Sequence, residues 1–136
     1  MEHSILKTVA RNFYESYNQK NLDKSFYDFV DTDLVNHTMG GGHDREKWLN
    51  FDKAFLNACP DLKLIIKEQL AEGNRVVTHW FCSGTHAAEF FGMAGSGNGI
   101  QLVGISIDRI ENGKIKEHFA MADFTEFMQQ FRKINL

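Results

Sequence analysis

The hydrophobic positions near the start of the chain recur at helical spacing. Ile5, Val9, Phe13 and Tyr17 stand four apart with Leu6 beside them, while Lys7, Arg11 and Glu15 fall on other faces. The pattern predicts an amphipathic helix, with Ser4 placed to cap it. A polar run, Asn18 to Asn21, interrupts that period, and Leu22, Phe26, Phe29 and Val30 resume it as a second, shorter helix. Residues 33–38 read as a short strand, closed by the flexible turn Gly40-Gly41-Gly42. Asp44 then caps a third helix to about Ala58, buried through Trp48, Phe51 and Phe55, and Pro60 ends it.

From Asp61 onward the helical period gives way to β-branched and aromatic residues. Residues 62–69 and 75–86 predict an antiparallel hairpin turning at Gly73-Asn74. Residues 100–111 and 114–122 predict a second one across Asn112-Gly113, the strongest short hairpin signal in the chain. A glycine-bearing rim loop, 89–99, joins the two hairpins, and Asp123 opens a terminal helix with Phe124, Phe127, Met128 and Phe131 on its apolar side. Three helices around one strand, four long antiparallel strands and a last helix give an α+β class. The expected form is a cone: a curved antiparallel sheet with the N-terminal helices on one face, enclosing a pocket with a single mouth.

Composition narrows the function classes. At 136 residues the chain fits one domain, 1–136, and its 43% hydrophobic and 24% charged content excludes a disordered reading. Fifteen basic and 18 acidic side chains are scattered along it, so no basic footprint points to nucleic acid. The first twenty residues lack the apolar run of a signal peptide or membrane span, so a cytoplasmic protein with no membrane partner is expected. Cys59 and Cys82 match no disulfide framework or paired metal-ligand motif and read as reduced thiols. Twelve Phe, three Tyr and two Trp suffice to line an apolar cavity as well as to fill a core.

Six histidines are the most reactive residues present, yet no pair has the spacing of a helical or strand-borne metal site. No metal and no cofactor is expected; a mononuclear site from His37, His86 and His118 is the alternative. Neither cysteine sits in a nucleophile elbow, and Gly95-Ser96-Gly97-Asn98-Gly99 lacks the lysine of a phosphate-binding loop. Alternation places Trp80, Cys82, Gly84 and His86 on one strand face, with Val77, His79, Phe81 and Ser83 on the other. On the last strand, Ile115, Glu117, Phe119, Met121 and Asp123 point one way and Lys116, His118, Ala120 and Ala122 the other, unless a bulge reverses His118. Asp123 is open to two roles, a helix N-cap or a proton-transfer group.

Arg75-Val76-Val77-Thr78-His79-Trp80, Gly84-Thr85-His86, Glu89-Phe90-Phe91-Gly92, residues 104–110 and Gly113-Lys114-Ile115-Lys116-Glu117-His118-Phe119 with Asp123 together resemble the SnoaL-like polyketide cyclase and ester cyclase family, within the nuclear-transport-factor-like superfamily. The resemblance implies the cone fold over nearly the whole chain. Because that fold hosts several chemistries, it is less specific for function. His79 stands where an arginine is frequent, Phe119 where a tryptophan is, and Met93-Ala94-Gly95-Ser96 replaces a proline-containing rim.

The resemblance implies Asp123 as general acid/base, which desolvation in an apolar pocket would poise for proton transfer. His118, His37 or His86 would stabilise an enolate oxygen, while Trp80, Trp48, Phe90 and Phe119 hold a small apolar or amphipathic molecule, with Glu117 and Met39 completing the lining. Two other readings stand beside this cyclase or isomerase: a binding protein that sequesters such a molecule, and an epoxide hydrolase pairing Asp123 with Glu117. Apolar residues on both faces of strands 75–86 and 100–110 lead to the expectation of a homodimer.

Overall fold

The computed structural model describes residues 2–38 and 44–132, so Met39, His43 and the triglycine turn lie outside the described residues. Helix α1 (Glu2–Glu15) leads through a 3-10 turn (Ser16–Gln19) into α2 (Leu22–Phe29). The Asn21 side chain caps α2 by accepting from the Lys24 amide. Strand β1 (Val30–Asn36) and α3 (Arg45–Ala58) follow, the latter capped by Asp44, whose carboxylate accepts from the Glu46 amide at 2.8 Å. Strands β2 (Lys63–Glu72), β3 (Arg75–Thr85), β4 (Gly99–Glu111) and β5 (Lys114–Ala122) precede α4 (Phe124–Arg132).

The five strands form one curved sheet in the order β1-β5-β4-β3-β2. Three pairings are antiparallel, but β1 runs parallel to β5, so the sheet is mixed. Strand β1 also starts earlier than its polar residues suggest. Val30, expected at the end of the second helix, instead pairs with Ile115 as the first residue of the strand. Beyond the strand's end, the His37 amide donates to the His118 carbonyl and the Ala120 amide to the Thr38 hydroxyl, which extends the pairing along β5. The β4–β5 turn is the predicted one, with Asn112 and Gly113 at φ of 52° and 74°.

The core lies between the helices and the concave sheet face. Phe13 and Phe26 meet edge to face at 5.4 Å, and Trp48 packs on both. From the sheet, Leu64, Val76, Trp80, Leu102, Ile110 and Ile115 are buried against them.

The alternation expected for β5 is broken by a bulge. Arg109 pairs with Glu117 and Ile110 with Ile115, leaving Lys116 unopposed. Ile115 and His118 are therefore both buried, while Glu117 and Phe119 are turned to the convex side. The bulge reverses the relation between Ile115 and His118 that strict alternation gives.

Candidate active site

Between α1, α3 and the concave face of the sheet lies a cavity of about 410 Å³, within the range that holds a small organic ligand. Phe51, Phe55, Leu62, Leu64, Leu102 and Phe127 make an apolar wall. Polar groups enter it from two layers. Helices α1 and α3 and the 3-10 turn supply Tyr14, Tyr17, Trp48 and Asp52, and the sheet supplies Trp80, Ser106 and His118.

Trp80 lies on the inner face together with Cys82, with which strand parity groups it. Its indole N–H donates to the Ser106 hydroxyl at 2.8 Å. The ring fits because position 104, opposite it on β4, is glycine: a Cβ there would fall 2.2 Å from the Trp80 ring. Trp48 stacks on His118, with ring centroids 3.9 Å apart and planes 15° from parallel. His118 Nδ1 lies 2.6 Å from Asp108, and the Tyr14 hydroxyl donates to the other Asp108 oxygen at 2.6 Å. Asp108 has no exposed surface, so these hydrogen bonds replace the water its carboxylate would otherwise hold.

A second carboxylate reaches the cavity from α3. Asp52 Oδ2 accepts from the Tyr17 hydroxyl at 2.5 Å and from the Trp48 indole at 3.0 Å, while Oδ1 has no hydrogen-bond partner among the described residues. Burial pushes Asp52 up to about 6, against the opposing pull of Tyr17, the His118 charge and Trp48. Burial, followed by the neighbouring carboxylates, also raises the Tyr14 and Tyr17 hydroxyls well above their ordinary values, so both stay protonated. The Cys82 thiol lines the same space and is pushed to about 12, chiefly by burial, which leaves it without nucleophilic character near neutral pH.

Of the residues proposed from sequence, the cavity gathers Trp48, Trp80 and His118. Asp123 is exposed, and its carboxylate accepts from the Glu126 amide at 3.0 Å as the N-cap of α4; it is not among the residues lining the cavity. His37 and Glu117 face an outer recess with Phe119, the His37 ring nitrogen 3.0 Å from the Glu117 carboxylate. Hydrogen bonds from His37 and then Arg109 hold Glu117 down at about 2. The Asp123–Glu117 pairing that a hydrolase would use is therefore not assembled in the cavity. His86 is buried with Ser96, 3.0 Å from its ring, and Phe90 packs behind the wall on Phe51 and Phe55; neither lines the cavity.

Sequence reasoning missed Tyr14, Tyr17, Asp52, Ser106 and Asp108. Signals existed for some of them. Parity along β4 puts Ser106 and Asp108 on the face of Ile100, Leu102 and Ile110, and Asp52 follows Trp48 by one helical turn. Among the described residues, no group of three or more His, Cys, Asp or Glu side chains is placed to hold a metal ion. No helix among them is long and apolar enough to cross a membrane.

Comparison with solved structures places the fold. IdmH, a candidate polyketide cyclase from Streptomyces antibioticus, superimposes with a TM-score of 0.81 at 23% identity, over 94% of this chain and 99% of its own. AclR, a candidate hydroxylase from Streptomyces galilaeus, gives 0.87 at 21% identity over 98% and 85%. TsrD from Streptomyces laurentii gives 0.83 at 18% over 96% and 97%. At these identities the likeness establishes the nuclear-transport-factor-like fold and not a shared reaction. No curated protein sequence matches the chain. A family model does, that of the SnoaL-like polyketide cyclases, and it matches residues 7–131. With the whole sheet and every residue lining the cavity inside that matched span, the chain belongs to the SnoaL-like polyketide cyclase family.

Proposed function

We propose that the protein is a cofactor-independent acid/base enzyme of the cyclase or isomerase type, acting on a small, mostly apolar carbonyl compound. One observation carries the reading: two proton-handling groups, Asp52 from the helical layer and the Asp108-bound His118 from the sheet, reach one apolar cavity. The acid/base role implied for Asp123 by resemblance thus passes to these two.

With Nδ1–H donating to Asp108, the basic lone pair of neutral His118 is on Nε2. It takes a proton from the carbon next to a substrate carbonyl, while protonated Asp52 gives its proton to that carbonyl oxygen, yielding an enol. In a cyclisation, the enol carbon bonds to a second carbonyl carbon of the same molecule. The enol hydroxyl returns its proton to Asp52 as the first carbonyl re-forms, and the His118 imidazolium protonates the new alkoxide, so both groups regain their starting states.

Hydrogen exchange in heavy water tests this directly. Incubated with β-keto esters and cyclic ketones, the protein is expected to speed deuterium uptake at the carbon next to the carbonyl, followed by NMR. The rate should fall as pH rises through about 6, where Asp52 loses its proton. A panel compound that binds in the cavity and exchanges no faster than in buffer would support the non-catalytic binding reading instead.

The assembly proposed with this function is a homodimer through the convex sheet face. Val103, Ile105 and Met121 there are 50%, 47% and 66% exposed, an apolar row that a second copy of the chain would cover. Sedimentation velocity at micromolar concentration should give a dimer; a monomer contradicts this assembly.

A further inference from the structure

The polar groups behind His118 form two hydrogen-bonded sets that stand side by side, Trp80 with Ser106 and Tyr14 with Asp108. The first begins at the Trp80 indole, which can only donate, and which donates to Ser106. Ser106 therefore turns its own hydrogen away from Trp80, and the Ser106 hydroxyl pulls the Tyr14 hydroxyl downward against the larger effects of burial and Asp108 that raise it. In the second, Tyr14 donates to one oxygen of Asp108, whose other oxygen faces His118 Nδ1. Trp80, Ser106, Tyr14, Asp108 and His118 are all buried, which strengthens the hydrogen bonds among them.

We propose that Tyr14 is a positioning residue that fixes the tautomer of His118, with Ser106 and Trp80 keeping the Tyr14 hydroxyl turned toward Asp108. A carboxylate with no exposed surface stays ionised only if donors satisfy both its oxygens. With the Tyr14 and His118 hydrogens in place, Asp108 is an acceptor on both sides and the imidazole proton is held on Nδ1. Without the Tyr14 hydroxyl, one oxygen is left bare and the carboxyl is better accommodated neutral. The Nδ1 proton then passes to Asp108, which donates it back as a hydrogen bond, while Nε2 takes up one proton from solvent in the cavity; the nitrogen facing the cavity is no longer a base. Tyr14 lines the cavity, but its hydroxyl is engaged with Asp108, so it acts on the reaction through His118. Its ring packs on Phe13 at 5.0 Å, a contact that phenylalanine preserves.

This inference rests on the reading of His118 as the base, but its test reads the resting protein. In long-range ¹H–¹⁵N spectra of histidine-labelled protein, recorded above the imidazolium titration, wild-type His118 should be the Nδ1–H tautomer. In Tyr14→Phe the Nε2–H tautomer should become the major form, and in Ser106→Ala it should appear as a minor one. With any substrate turned over, Tyr14→Phe should lower kcat about tenfold or more with KM little changed. An Nε2–H tautomer in the wild type, which needs no variant to observe, overturns the proposal, as does an unchanged tautomer in Tyr14→Phe. Correct tautomers in a protein that exchanges no substrate proton would leave the positioning role standing and remove the enzymatic reading.

Discussion

Replacing His118 with glutamine is expected to lower turnover by about 10²–10⁴-fold while changing ligand affinity only a few fold. The imidazole sits against the Trp48 ring and has one nitrogen on buried Asp108, which leaves a single nitrogen for the cavity. Glutamine is the informative substitute because its amide N–H can still donate to Asp108, yet its oxygen is far too weak a base to take a proton from carbon. The protein should stay folded for the same reason. His118→Leu, by contrast, strips a donor from a carboxylate that has no exposed surface, and about 3–5 kcal/mol of stability should go with it. Steady-state kinetics and urea titration of the two variants separate these effects. Turnover by His118→Gln within threefold of wild type would move the base elsewhere, and the resemblance then makes Asp123 the next residue to test.

Asp52→Asn should make the protein more stable and less active at once. The folded chain holds this carboxyl at about 6, whereas an unfolded chain leaves it at about 3.9. Between those values the folded state binds more protons, so the Asp52 contribution is full below about pH 4 and is lost as pH rises through about 6. A shift of this size corresponds to about 3 kcal/mol at most, and contact with solvent in the cavity reduces it to about 1–2 kcal/mol. Asparagine keeps an oxygen for Tyr17 and Trp48 and carries no charge to desolvate. The variant should therefore gain about 1–2 kcal/mol over wild type at pH 8 and almost nothing at pH 4, with turnover down about 10²-fold or more. Thermal melts at the two pH values check the sign. An equal loss of stability at both would mean that Asp52 is a structural acceptor and not a strained acid.

Much of the scaffold could be read from local pattern. Helical spacing of aromatics gave α1, α2 and α3, the Asn112-Gly113 pair gave the second hairpin, and Asp44 and Asp123 cap the helices they precede. Each of these depends on neighbours in sequence. What escaped depends on distant ones. The parallel seating of β1 beside β5 joins residues about eighty positions apart, and no alternation within β1 announces it. Asp52 was passed over because a carboxylate on a helix normally marks the solvent side; here Tyr17 and Trp48 supply the donors that permit it to face inward. Asp108 was within reach of parity, since the buried positions of β4 alternate without a break from Ile100 to Ile110. On β5 parity sets Glu117 and Phe119 opposite His118, as observed; it was the resemblance that assigned all three to the ligand, and Glu117 and Phe119 belong to the convex face.

The extra residue of the β5 bulge, Lys116, makes the identity of the cavity-facing group a matter of chain length. The strand carries an acid, a base and an aromatic ring in succession at Glu117, His118 and Phe119, and the bulge acts as a phase setting that selects which of them meets the ligand. Two homologues with identical residues here but a different count before them would present opposite chemistries inward. For the same reason, an alignment that absorbs a one-residue gap anywhere along this strand exchanges the reactive side of the sheet for its outer surface, and a transferred residue role changes sides with it.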